Sequence, residues 1–242
     1  MERTAQEAGT GIDRFRARVE AAAPQRVLEP AWLAALRRRA FDAFSELGFP
    51  TTRQEDWRFT PTAGLLSREF ARAPRAVVSR ETFERTSLLG QALIELVFVN
   101  GRLSPELSSL GSLPAGLEAE SLQAVLGNRA ATLEGRLAGQ AAPDAHPLTA
   151  LNTALFEDGA AITIAPNVVV EGVIHVAFVA DASQGPAAIH PRVILRAGSN
   201  SQARLVESYY GATDTEYFTN AVTEIDLGAG AVVDHYKVQR ES

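Results

Sequence analysis

The side chains in this chain that could do chemistry are four histidines and a handful of carboxylates in the β-prone C-terminal half, and cysteine is absent. Without a thiolate, these 242 residues offer no sulfur ligand to zinc or to an iron–sulfur centre, and they form no disulfide. His175 shares strand parity with Val173, Ala177 and Val179, which reads as a core or edge position rather than a ligand. His146 and His190 each precede a proline and read as turn residues. His235 stands between Asp234 and Tyr236, with Lys237 and Gln239 beyond, in a polar cluster that could line an interior; a hydrogen-bonded structural role is expected there as well. Glu207, Asp214, Glu216 and Asp234 are available for acid–base work, but their spacing does not converge them and nearby charges neutralise them. No GxxxxGK[ST] occurs, so the chain is not itself a P-loop ATPase. No catalytic, cofactor-binding or metal-ligating residue is therefore assigned.

The elements that carry these residues are mostly strands. Ala160–Ile164, Val168–Ala180, Pro191–Arg196 and Ala203–Tyr210 are crowded with β-branched and aromatic residues. Asp158-Gly159, Ala165-Pro166-Asn167, Ala197-Gly198-Ser199-Asn200 and Gly228-Ala229-Gly230 punctuate them. No helical period intervenes after Phe156, so the βα alternation of a doubly wound sheet is missing, leaving a sandwich, a barrel or a solenoid. A weak repeat favours the solenoid. Gly198 set against Gly228 aligns Arg204 with Asp234, Leu205 with His235, Val206 with Tyr236 and Glu207 with Lys237. In stacked coils such positions lie about 4.8 Å apart, where opposite charges help. Alternation puts Arg204 and Glu207 on opposite faces, so one charged pair is expected to point inward and the other outward.

The front of the chain is helical. Pro30 precedes Trp32, Leu36, Ala40, Phe44 and Leu47 at helical steps, with Arg37-Arg38-Arg39 expected on the wet face and Gly48 and Pro50 ending the segment. Arg53–Pro61, reading RQEDWRFTP, is expected to be anchored to the core by Trp57 and Phe59. Leu93–Val99 with Asn100-Gly101 suggests a strand entering a tight turn, and Ser121–Leu137 a second helix. Pro143–Pro147 is the expected boundary, giving a mainly helical domain over 1–147 with a short strand pair and a β stack over 148–242. A hydrophobic content of 46% suffices for a large core, and a net charge of −6 gives no reason to expect nucleic acid or an acidic membrane surface. The N-terminal stretch has no apolar secretory core and no run reaches membrane-spanning length, so a cytoplasmic protein is expected. The last residues stop in the middle of a strand pattern, which reads as part of a longer polypeptide.

LGFPT, RQEDWRFTP, FVNGRLSPELS at Phe98–Ser108, LTALNTALFEDGAAITIAP at Leu148–Pro166, HPRVILRAGSNSQARLVESYYG at His190–Gly211 and the run Thr219–Ser242 resemble, in that order, the SufB/SufD family of iron–sulfur cluster assembly proteins. The short helical front and the lack of an extended cysteine-bearing insertion look more like SufD than SufB. Glu171-Gly172-Val173-Ile174 departs from the family, which usually has a proline before the isoleucine, a change expected to touch a turn. The resemblance implies an α+β, mainly β protein: an N-terminal helical domain, then a right-handed parallel β-helix, truncated before the family's C-terminal helical domain. It implies a SufD-like scaffold or accessory subunit that is not an enzyme. Its partners would be a SufB-like chain and a SufC-like ABC-type ATPase, with a homodimer left open. The iron–sulfur cluster would be handled by the full complex, and no cofactor is expected on this segment alone. The family's SufC-docking helices and candidate metal ligands would lie beyond Ser242. A β-helix carbohydrate-active enzyme and a structural adaptor without a cluster role are the alternatives.

Overall fold

Short runs of Val, Ile, Leu and aromatic residues between small-residue turns make this an α+β chain in which strands predominate. The computed structural model describes residues 29–87 and 92–241, together with Asp13, Ala17, Glu20 and Ala21. Most of the N-terminal stretch read as lacking a secretory signal lies outside the described residues, as does Ser242. The helices are α1 (Ala31–Leu47), α2 (Ala63–Leu66), α3 (Arg80–Thr86), α4 (Leu122–Arg129) and α5 (Pro147–Leu155). The strands are β1 (Ala71–Arg72), β2 (Ile94–Val99), β3 (Arg102–Leu103), β4 (Leu117–Ser121), β5 (Gly159–Ile164), β6 (Val169–Ala180), β7 (Ala187–Ile189), β8 (Arg192–Ala197), β9 (Gln202–Gly211), β10 (Tyr217–Thr219), β11 (Val222–Leu227) and β12 (Val232–Arg240). They fall into two compact units, Met1–Phe70 with Ala130–Leu155, and Ala71–Arg129 with Phe156–Ser242.

In the first unit α1 buries Leu33, Ala40, Phe41 and Phe44, and the Phe44 ring meets Phe49 edge-on at 5.1 Å. The stripe is rotated from the expected one: Trp32 and Leu36 are half-buried and Leu47 is exposed. Arg37 also departs from the expected solvent-facing triplet, because it is buried on the stripe. Its Nη1 donates to the carbonyls of Thr153 and Ala154, both at 3.3 Å, and its Nη2 lies 2.9 Å from Glu29. Those carbonyls end α5, where helix geometry leaves C=O groups unpaired and the helix dipole favours a cation. The helix expected over Ser121–Leu137 ends at Arg129 and passes into a 3-10 turn at Ala130–Thr132. Left-handed residues follow, Gly135 at φ 71° and Ala138 at φ 62°, which a helix cannot accommodate. Phe59 is not an anchor: it is 88% exposed, whereas Trp57 is half-buried with its ring 5.6 Å from that of His146.

The second unit holds three open sheets, ordered β4-β5-β8-β11, β3-β2-β6-β9-β12 and β1-β7-β10. From β5 onward the chain visits the three in turn, and each strand lies parallel to the third strand after it. Val193 faces Thr223, Ala187 faces Tyr217 and Ala203 faces Val233, each partner thirty positions on, as the glycine alignment predicts. Ahead of the expected 147/148 boundary, β2 joins β6 in parallel and β4 joins β5 in antiparallel register. Asn100 and Gly101, both at positive φ, make the tight turn from β2 into β3.

Two details set the repeat. Asn167, Asn200 and Gly230 occupy corresponding corners at φ 62°, 58° and 72°, and Asn200 Nδ2 donates to Asn167 Oδ1 at 3.2 Å. Asn and Gly tolerate this left-handed corner best. Glu171-Gly172 lies within β6 rather than at a turn: the register slips between Val169 and Val173, and Gly172 takes φ 129° at the bulge. The core between the sheets holds Ile94, Leu96, Ile162, Ile174, Val176, Leu195 and Leu205. Phe98, Phe178 and Tyr209 stack across β2, β6 and β9 with centroids 5.2 Å apart at each step. The opposite face of that sheet packs Val97, Val99, Ala177, Val179 and Tyr210 against Val78, Phe83 and Leu107.

Gly159 sits so close to its ladder partner that an added Cβ would lie 1.7 Å from the Arg192 carbonyl oxygen, whereas one at Gly64 meets nothing within 4 Å. Gly159→Ala is expected to lower stability by about 3 kcal/mol or more. Gly64→Ala, in helix α2, should change it by less than about 1 kcal/mol and in the stabilising direction. Urea midpoints of the two variants check this; equal midpoints would contradict the close stacking of β5 on β8.

Candidate functional site

The charged residues inside the strand-rich unit meet along the ladders, and many of them meet on the diagonal, two positions off direct register, where the period of two keeps side chains on one face. Glu207 on β9 is the clearest case. Its carboxylate is buried and accepts from Tyr209 Oη at 2.6 Å and from Thr223 Oγ1 at 2.8 and 3.0 Å. His235 Nε2, diagonal to it on β12, lies 2.8 Å from Oε1. An ionised carboxylate only accepts, so His235 carries a proton on Nε2. Burial pushes the Glu207 carboxyl up, but the three donors together outweigh it and hold the carboxyl below its usual value. Burial, and then the charge of Glu207, raise the Tyr209 hydroxyl well above its ordinary value.

Register pairs Glu207 with Lys237 as predicted, yet the two do not form the expected ion pair. Lys237 Nζ sits 4.6 Å from the centroid of the Tyr209 ring instead. The short imidazole reaches the sealed carboxylate, while the long lysine stem keeps its ammonium, which is costly to dehydrate, on an exposed residue. Arg204 and Asp234 face each other in register as predicted, 3.7 Å apart, and prove to be the outward pair, with side chains 53% and 52% exposed.

On the other face of the same sheet, His175 places Nδ1 2.8 Å from Glu95 Oε1 and Nε2 against Ser208 Oγ. Both contacts are satisfied when Nδ1 donates to Glu95 and Nε2 accepts from the Ser208 hydroxyl. Carboxylate, imidazole and hydroxyl stand in the order of an acyl-transfer relay. However, His175 is 0% and Ser208 1% exposed, and the parallel ladders on both flanks of β6 and β9 engage the backbone N–H groups that an oxyanion would require. The cluster is a three-strand polar staple. Arg192 and Glu224, diagonal across β8 and β11, form a sealed ion pair through Arg192 Nε at 3.1 Å and Nη2. Burial lowers the guanidinium's pKa, opposed by the charge of Glu224. Asp158 accepts from Ser121 Oγ at 2.8 Å and from the backbone N–H of Gln123, Gly159 and Leu103, which fastens the start of α4 to β5; burial nonetheless raises its carboxyl.

The remaining sequence candidates stay apart. His146 Nδ1 accepts from the Leu148 N–H at 3.3 Å, at the start of α5. His190 is buried with Nδ1 3.4 Å from Asn220 Nδ2. Asp214 and Glu216 are exposed between β9 and β10, and Asp234 is tied to Arg204, so no pair of these carboxylates converges with Glu207. Among the described residues, no group of three or more His, Asp and Glu side chains is arranged to hold a metal ion. Glu95, Ser208, Arg192 and Glu224 went unrecognised in the sequence, although each pairing keeps same-face parity across neighbouring strands.

Residues 25–176 match the family model described as the SufBD protein N-terminal region, and residues 178–242 match the SufBD core domain of the SUF system for FeS cluster assembly. The chain belongs to the SufBD family. An iron–sulfur cluster assembly SufBD family protein of Synechocystis sp. is 31% identical over 215 residues, which is 85% of this chain and 47% of that protein. The chain thus spans about half the length of the curated relative it matches. Among the described residues, no helix is long and apolar enough to cross a membrane.

Glu207→Gln leaves a buried amide facing donors matched to a carboxylate and should destabilise by about 3 kcal/mol, whereas Asp234→Asn, at an exposed pair, should stay within about 1 kcal/mol. Because the folded-state carboxyl of Glu207 lies below its unfolded value of about 4.3, its contribution is complete above that pH and is lost as pH falls through the folded value. Denaturation midpoints should therefore separate wild type from Glu207→Gln near neutrality and converge in acid. A gap that stays constant with pH would rule out a charged Glu207.

Proposed function

We propose that this chain is a SufD-like scaffold or accessory subunit of iron–sulfur cluster assembly, acting in the cytoplasm with a SufB-like chain and a SufC-like ABC-type ATPase. The consecutive match of both SufBD models over 25–176 and 178–242 carries this reading. The relative's description as an iron–sulfur cluster assembly protein supports it. On this reading the succession of β5 to β12, with partners 30 to 33 positions apart, is a stretch of right-handed parallel β-helix, a rigid rod whose outer surface presents partners to one another. The cluster is the cargo of the whole assembly rather than a resident group of this segment. The absence of cysteine from all 242 residues favours SufD over SufB and supports cluster ligation by another chain or segment.

A non-enzymatic role is supported by how the polar groups are used. Glu207 has three donors, His175 is enclosed between Glu95 and Ser208, and Arg192 is paired with Glu224, so these groups are engaged with one another across the strands. A carbohydrate-active β-helix would need two carboxylates facing one groove, about 5 to 9.5 Å apart. Here Asp214 and Glu216 are exposed, Asp234 points outward and Glu207 points inward.

Two measurements test the reading. Co-expressed with SufB-like and SufC-like chains, this chain should co-purify with them, and the assembly should gain an iron–sulfur chromophore on anaerobic reconstitution. Alone, it should leave a desalting column colourless. Stoichiometric iron and sulfide on the isolated chain, or no association with either partner, would overturn the scaffold assignment.

A further inference from the structure

Between strand β1 and helix α3 the chain runs in a strand-like pattern that no neighbouring strand completes. Burial alternates with a period of two: Ala76 and Val78 pack with Phe83, Val97 and Leu107, whereas Arg75 and Val77 face solvent, Val77 at 86%. Both ends of the run are fastened. Arg102 Nη1 donates to the Ala73 carbonyl at 3.1 Å and Asn100 Nδ2 to the Pro74 carbonyl at 3.0 Å, while the Ser79 carbonyl accepts from the Phe83 N–H at 3.0 Å as α3 begins. Among the described residues, none donates to or accepts from the main chain of Arg75, Ala76, Val77 or Val78. An ordered run of unpaired peptide groups is what an added strand pairs with, and little chain entropy is left for binding to remove.

The charges choose the partner. Residues 72–80 carry three arginines and no carboxylate, on a chain of net charge −6. Arg72 is held by Glu157 at 2.6 Å and Arg80 reaches the Glu106 carbonyl, but Arg75 makes no ion pair with any described residue. It stands two positions from Val77 on the exposed face, so an incoming strand meets a cation and an apolar side chain next to each other. A nucleic acid or an anionic membrane would engage Arg75 and leave the peptide edge unpaired. We propose that residues 75–78 form a strand-addition site for an extended segment of another protein. Main-chain hydrogen bonds supply the hold, and a carboxylate two residues from a branched aliphatic, meeting Arg75 and Val77, supplies the selectivity. The site does not depend on the assembly reading.

A hexapeptide, acetylated and amidated TETVTE, tests it against the whole chain. Its glutamates and valine share one face, in an order that meets Arg75 and Val77 in either strand direction. In proton–nitrogen correlation spectra it should shift the amides of residues 75–78 and slow their hydrogen exchange, with a Kd at or below about 1 mM. The lysine counterpart TKTVTK should bind about tenfold or more weakly, and Arg75→Glu should reverse that preference. Val77→Ser should weaken both peptides, and the spectra of the two variants should otherwise match wild type, as befits exposed positions. Of two forms of TETVTE carrying N-methyl groups on alternate residues, one should bind and the other should not, because a strand turns successive N–H groups to opposite edges. The proposal is overturned if TETVTE leaves these amides unmoved, if both methylated forms bind alike, if TKTVTK binds as well as TETVTE, or if Arg75→Glu does not change the preference. Slow exchange of the same amides before any peptide is added would also overturn it, since part of this chain would then already cover them.

Discussion

The parallel stacking of strands 30 to 33 positions apart, with β2 added eighty positions from its β6 partner, governs what the buried side chains of the strand-rich unit can touch. Once β9 lies on β6 and β12 on β9, like positions stack in columns, and a residue's neighbours are fixed by its number rather than by its flexibility. The aromatic column Phe98, Phe178, Tyr209 and the corner column Asn167, Asn200, Gly230 are two outcomes of this one constraint. Its steric price is local: glycine stands where consecutive backbones approach closest, at Gly159 against Arg192 and at Gly198 against Pro166.

Within that lattice, polar groups are buried as matched sets. Glu207 with His235, Tyr209 and Thr223, His175 with Glu95 and Ser208, and Arg192 with Glu224 each join adjacent strands, so a slip of one residue would carry every one of these groups to the wrong face and leave it unpaired. Apolar stacking alone would tolerate a slip far better, since one branched aliphatic replaces another at little cost. The ionic groups thereby fix which strands pair and at what offset.

Much of this was legible in the sequence because strands announce themselves by residue type and turns by Gly, Asn and Pro. The pairing of Arg204 with Asp234 followed from aligning two glycines, and strand alternation gave the opposite faces of Arg204 and Glu207, though not which of the two points inward. What stayed hidden depended on side-chain reach. Linear alignment pairs residues directly across and overlooks the diagonal, so His235 was passed over in favour of Lys237 as the partner of Glu207, and Arg192 with Glu224 was not seen. Arg37 and Phe59 reversed their expected places for a similar reason. Charge and hydrophobicity predict exposure on average, but a helix end can draw a guanidinium inward and a tight turn can hold a phenyl ring out.

Strand β2 carries a consequence for the order in which the chain assembles. Ile94 pairs with Ile174 eighty positions away, whereas Ile174 pairs with Leu205 only 31 positions on. Closing the longer loop costs about 0.8 kcal/mol more in chain entropy, a modest difference at equilibrium. Time is the larger matter. At ribosomal speeds of about 5 to 20 residues per second, the run IELVFV waits roughly 4 to 16 s for its parallel partner to be synthesised. During that interval the hairpin through Asn100-Gly101 and the bridge from Glu95 to Ser109 can form from residues close by, covering part of one edge of β2. The short antiparallel β3, two residues long and minor in the finished sheet, is thus a partner that this apolar strand's edge can find without any distant residue.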